Sequence, residues 1–109
     1  MTVFQRHESP DGLLCLLVGD KDGDTCIGFD KFTWHTHGDI LASLSGLPEP
    51  EAVSAFVSEI LCGQRVIAVS RIAGTIQDAW VSDDPGTELK YKPEEETIEF
   101  RYWDGTNVA

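Results

Sequence analysis

Between Val53 and Leu61, apolar residues fall at Val53, Phe56, Val57, Ile60 and Leu61, the i, i+3, i+4, i+7, i+8 spacing of a helix with one buried face. This clear amphipathic stripe stands between two sets of short β-type runs, and that arrangement most constrains the fold. A parallel doubly wound sheet needs a crossover helix between successive strands. One evident helix, with short turns elsewhere, leaves an antiparallel sheet covered by helical structure. The expectation is an α+β fold: an antiparallel β-sheet of five to six strands with one or two helices packed on one face.

The local signals agree. Thr2 to Arg6 reads as an edge strand. Leu13 to Val18 is a continuous apolar run bounded by Gly12 and Gly19, the mark of a buried strand. Gly19 to Asp24 has turn chemistry, and Thr25 to Phe29 returns as the second arm of a hairpin with an acidic tip. Ile40, Leu41 and Leu44 have helical spacing, with Asp39 as a cap and Gly46 as a stop. In the main helix, Glu49, Pro50 and Glu51 suit a first turn and Gly63 suits a C-terminal cap. Arg65 to Ile72 and Thr75 to Ser82 form a second hairpin, with Ile76 and Trp80 expected on one face. Asp83-Asp84-Pro85-Gly86 breaks the chain, Leu89 to Lys92 pairs briefly, and Thr97 to Trp103 alternates with Ile98, Phe100 and Tyr102 on one side. Strand connections outside the helical stretch are short enough for hairpins or a meander. The 109 residues suit a single α+β domain over positions 1–109.

Charge narrows the partners. Nineteen acidic residues against eight basic ones give −11 at pH 7. Such a field repels phosphate backbones, and no Lys/Arg run offsets it, so direct nucleic-acid binding is not expected. The same field attracts basic proteins. Positions 1–10 carry no apolar signal-peptide core, and the run at Leu13–Val18 is far short of the roughly 18 residues a membrane span needs. Three cysteines, Cys15, Cys26 and Cys62, without CxxC spacing indicate neither a disulfide framework nor a thiolate zinc site. A reducing cytoplasm is the simplest home, and no cofactor is expected.

Trp34-His35-Thr36-His37-Gly38-Asp39 is the cluster that most looks like chemistry. In extended backbone, His35 and His37 share a face within reach of one metal ion, and Asp39 continues it. The pattern resembles the first half of the HxHxDH motif of metallo-β-lactamase-fold hydrolases but has Ile40 in place of the final histidine. It also resembles the HxH and serine of JAMM-type metalloproteases, with Ser45 in place and Pro48 where the carboxylate should stand. A small metal-dependent hydrolase using His35, His37 and Asp39 is therefore the alternative reading. The bland reading has the pair hydrogen-bonding backbone at a helix start with Trp34 in the core. Asp20, Asp22 and Asp24 open like a calcium loop, but Thr25 and Lys31 occupy the positions that need Gly and Glu. Cys62 falls at a helix C-terminus, whose negative end opposes a thiolate.

With the Trp34–Asp39 segment, the Arg65–Arg71 strand followed by Gln77-Asp78-Ala79-Trp80, and the acidic stretch from Asp83-Asp84 to Glu96, the chain resembles the small immunity proteins of bacterial toxin–immunity systems, the class that includes contact-dependent growth inhibition. The resemblance implies a non-enzymatic inhibitor that binds a cognate toxin domain, often a basic nuclease, with carboxylates standing in for substrate phosphates. The partner-binding residues expected on this reading are Asp22, Asp24, Asp78, Asp83, Asp84, Tyr91, Glu94, Glu95 and Glu96. A third reading is a homo-oligomeric, for example dimeric, structural or regulatory domain that self-pairs through a sheet edge.

Overall fold

The computed structural model describes residues 2–83 and 94–108. Seven strands and two helices follow in the order β1 (Thr2–Glu8), β2 (Cys15–Lys21), β3 (Asp24–Phe29), β4 (His35–His37), α1 (Gly38–Ser45), α2 (Glu49–Leu61), β5 (Val66–Ile72), β6 (Thr75–Ser82) and β7 (Glu96–Arg101). The α+β class, the antiparallel pairing and the two helices are as expected. The strands, however, divide into two sheets, a meander β1-β2-β3-β4 and a three-stranded β6-β5-β7. The physical cause is the helical stretch: β4 pairs over only three residues before the chain turns into α1, so the first ladder ends there.

Turn chemistry sets both hairpins. Asp22 and Gly23 have φ of 54° and 84°, and Ala73 and Gly74 have 53° and 81°. Positive φ at both central residues gives the two-residue type I′ turn that matches strand twist, and the registers Lys21↔Asp24 and Ile72↔Thr75 follow. Helix α2 stops as its sequence indicates. Gly63 adopts a left-handed φ of 77°, its amide donates to the Ile60 carbonyl, and the Gln64 amide donates to Glu59. That pair of bonds is the Schellman arrangement, and the left-handed residue in it is strained for any side chain with a Cβ.

A single buried cluster draws on both sheets and both helices: Leu16, Val18, Ile27 and Phe29 from the meander, Leu41, Phe56, Val57 and Ile60 from the helices, Ile67, Val69 and Ala79 from the second sheet, and Trp103. Trp34 packs on its margin, stacked on Phe29 at 5.8 Å between ring centroids. Two details of the second sheet depart from expectation. The most apolar strand, β5, takes the central position, so β7 pairs with β5 on the edge opposite β6. A bulge also interrupts the β5–β6 register, with Ser70 opposite Asp78 and Arg71 opposite Ile76. The extra residue, Gln77, reverses the alternation. Ile76 therefore joins Ala79 and Val81 on the core side, and Trp80 lies on the other face with Ile98 and Phe100. The brief pairing expected over Leu89–Lys92 lies outside the described residues.

Among the described residues, no helix is long and apolar enough to cross a membrane. An ion pair ties the second sheet to the β1–β2 loop of the first. Arg101, 1% exposed on the core side of β7, donates through both Nη atoms to Asp11 in the β1–β2 loop, at 2.6 and 3.2 Å, while its Nε donates to the Tyr102 carbonyl and Nη2 also donates to that of Trp103. Asp11 also accepts from the Ser9 hydroxyl and the Leu13 amide. The Arg101 guanidinium holds the Asp11 carboxyl well below the usual carboxylate range.

Candidate functional site

Residues of β3 and β4 alternate between the core and the opposite face of the meander. Ile27 and Phe29 point inward, so Asp24, Cys26 and Gly28 share the outer face. On β4, His37 pairs with Cys26 and His35 with Gly28, which brings both imidazoles to that face as their spacing requires. The rings meet edge to face at 4.9 Å. Gly28 is needed for the close approach of the strands: a Cβ there would lie 2.7 Å from the Trp34 carbonyl oxygen.

The side chains that converge are not the expected set. His37 Nδ1 lies 2.7 Å from Asp24 Oδ2 and 3.6 Å from Cys26 Sγ, and the Cys26 thiol lies 3.6 Å from the Asp24 carbonyl. The ligand-type atoms of Asp24, Cys26 and His37 all fall within 4.8 Å of one another. Burial, and then the neighbouring Asp24 carboxylate, push the Cys26 thiol pKa up. Asp39 belongs instead to the first turn of α1, where its carboxylate accepts from the Ile40 amide at 2.8 Å. Among the described residues, His35, His37 and Asp39 thus do not form the converging group, because the chain leaves extended geometry at Gly38. His35 engages the Thr33 carbonyl through Nδ1 at 3.1 Å. Asp24 and Cys26 are neighbours on β3, but His37 lies on the adjacent strand eleven residues away, and only the cross-strand register brings it to them. The trio opens onto a cavity of about 650 Å³, whose walls include Lys21, Asp30, Phe32 and Trp34.

The residues expected to bind a partner are dispersed. Asp22 is exposed at the β2–β3 turn, and Asp24 is committed to His37. Asp78 sits at the bulge and accepts from the Ala79 amide. Asp83 is 88% exposed and touches Arg65 at 3.5 Å. Glu94 and Glu95 lie exposed in the turn just before β7, and Glu96 accepts from the Ser70 hydroxyl at 2.8 Å. Asp84 and Tyr91 lie outside the described residues. Asp83 follows the β6 residue paired with Val66, while Glu96 pairs with Ile72, so these groups stand at opposite ends of β5, roughly 20 Å apart at strand rise. Among the described residues, Asp83 and Glu96 therefore do not share one patch.

The outward side of α1 and the turn after it expose Ile40 (47%), Leu44 (81%) and Leu47 (43%). The stripe read from Ile40, Leu41 and Leu44 buries only Leu41 among these three. Leu44 borders a groove of about 330 Å³ whose floor includes Leu41, Ala52, Phe56 and Val81 and whose far end carries Glu59, Arg65 and Asp83. Arg65 lies over the Phe56 ring at 5.1 Å and binds Glu59 at 2.7 Å.

No protein-family model matches this chain, and no curated protein or solved structure is significantly similar to it.

Proposed function

We propose that the chain is an acidic, non-enzymatic inhibitor of the immunity type, which neutralises a cognate toxin domain by docking a basic segment of it along the α1 groove. The observation that carries this reading is the exposure of Leu44 at an apolar-floored groove that also reaches Asp83, with Ile40 and Leu47 exposed on the same helix and the turn after it. Apolar anchors with charge at the rim are the anatomy of a specific interface.

The distribution of charge supports a basic occupant. All four arginines are turned to the protein's own carboxylates: Arg6 to Asp30, Arg65 to Glu59 and Asp83, Arg71 to Glu99, and Arg101 to Asp11. The excess of acidic residues therefore has few internal cations to offset it. At the groove itself, Arg65 is held closely by Glu59 and only at 3.5 Å by Asp83, which leaves Asp83 accessible to an incoming Lys or Arg. Such a field accelerates encounter with a basic surface and is screened by salt.

The test is capture from the native host by the tagged full-length chain at ~50 mM and ~500 mM salt, bracketing the range over which exposed charges are screened. The reading expects one basic protein in stoichiometric amount, held more strongly at low salt. An acidic protein, or a basic one whose retention ignores salt, would contradict it.

A further inference from the structure

We propose that Asp24, Cys26 and His37 form a binding site for one divalent transition-metal ion, with zinc the best match. This goes beyond the inhibitor reading and does not depend on it. Thiolate, imidazole and carboxylate together are a zinc-type donor set; calcium and magnesium take oxygen ligands almost exclusively. The geometry is close to what that ion requires. Zinc bonds of about 2.3 Å to sulfur and about 2.0–2.1 Å to nitrogen and oxygen imply a tetrahedral S···N edge of about 3.6 Å and an N···O edge of about 3.4 Å. Cys26 Sγ and His37 Nδ1 stand 3.6 Å apart. His37 Nδ1 and Asp24 Oδ2 are 2.7 Å apart, a hydrogen-bond distance, and must open by somewhat over half an ångström. The Asp24 side chain, 47% exposed, has the freedom to make that movement.

The backbone supports the site independently of its side chains. Asp24, Cys26 and His37 come from two hydrogen-bonded strands, with Cys26 directly opposite His37, and the register is held on the far side by β2. The site therefore has the rigidity of a sheet rather than of a loop. Binding balances as follows. The Cys26 thiol releases its proton to solvent and coordinates as the thiolate. His37 gives up to solvent the Nδ1 proton that it donates to Asp24 and takes one from solvent on Nε2, so that the neutral ring presents an Nδ1 lone pair. Asp24 coordinates through a carboxylate oxygen already ionised. Three protein ligands leave the fourth position to water on the cavity side. His35, whose ring abuts His37, borders the same cavity without belonging to the converging trio.

The test uses the full-length chain, stripped with chelator and titrated with Co²⁺ as a spectroscopic stand-in and with Zn²⁺ by calorimetry. One equivalent should bind, with a thiolate-to-Co²⁺ charge-transfer band and the visible bands of a tetrahedral ion. Cys26→Ser should abolish the charge-transfer band, His37→Gln should weaken binding at least tenfold, and Cys15→Ser, Cys62→Ser and Asp39→Asn should change neither. Far-UV circular dichroism of each variant separates loss of the site from loss of the fold, and the His37→Gln result stands if Cys26→Ser does not fold. No stoichiometric binding, or a charge-transfer band that survives Cys26→Ser and disappears in Cys15→Ser or Cys62→Ser, would overturn the proposal.

Discussion

Two of the polar clusters among the described residues, Arg101–Asp11 and Asp24–Cys26–His37, are built in opposite ways. The Arg101–Asp11 pair is turned inward: the guanidinium is 1% exposed, and it reaches a carboxylate and two carbonyls. The Asp24–Cys26–His37 group is half open to a cavity, and its three ligand atoms are held loosely around a shared point. Burying a charge is costly unless it is fully partnered, so the first cluster can be explained by folding alone. The second lies on the face away from the core, where alternation would allow any polar residue, and folding does not demand that combination of side chains. Fully partnered burial marks structure, and ligand-type side chains that converge beside a cavity without folding requiring them mark a site.

The largest expected effect comes from removing the Asp11 carboxylate that partners the buried Arg101 guanidinium. Asp11→Ala leaves Arg101 buried with carbonyl partners only, and should cost about 3 kcal/mol or more, read as a lower urea midpoint at unchanged slope. A loss under about 1 kcal/mol would place this pair with surface ion pairs and erase the contrast.

The same pair predicts an acid dependence. Because Asp11's folded pKa is depressed below its ordinary value of 3.8, its contribution is fully present above that value and is lost as the pH falls through the folded-state pKa. Stability measured from pH 6 down to pH 2 should fall more steeply in the native sequence than in Asp11→Asn. Parallel profiles would mean that the carboxylate's ionisation adds nothing.

At the open cluster the expected cost is smaller. His37→Gln removes a partly exposed contact to Asp24 and should change stability by no more than about 1 kcal/mol. A loss near that of Asp11→Ala would make the trio a structural element. Smallest of all is Leu44→Ser: with the side chain 81% exposed, it should shift stability by no more than about 0.5 kcal/mol, within the scatter of surface changes. If the groove docks a partner, the same variant should weaken that complex roughly tenfold, the low end of what burying a leucine provides.

Much of the fold was legible because local chemistry dictated it. Asp22-Gly23 and Ala73-Gly74 specify tight turns, Gly63 specifies the end of α2, and the Val53–Leu61 stripe specifies its buried face. What was not legible depended on contacts between distant residues. The bulge at Gln77 moved Trp80 to the opposite face, and nothing near it in sequence announces an extra residue. The role of Arg101 depends on Asp11, ninety positions away. At the candidate site, the i, i+2 spacing correctly put His35 and His37 on one face, but the completing residues came from the neighbouring strand, and Asp39 was lost to α1. Helical spacing revealed that α1 is amphipathic without revealing that Leu44 and Ile40 stay exposed.

The central claim is that the groove beside α1, rather than the acidic surface as a whole, engages a basic partner. The most direct measurement is side-by-side capture from the native host by the native chain, by Leu44→Asp, and by the double variant Glu94→Lys/Glu95→Lys at the far end of the second sheet. The account predicts that the native chain and the double variant retain the same basic protein, more weakly in the latter because net charge has fallen, while Leu44→Asp loses it. Retention by Leu44→Asp with loss in the Glu94/Glu95 variant would contradict the account and move the interface to the opposite end of the molecule.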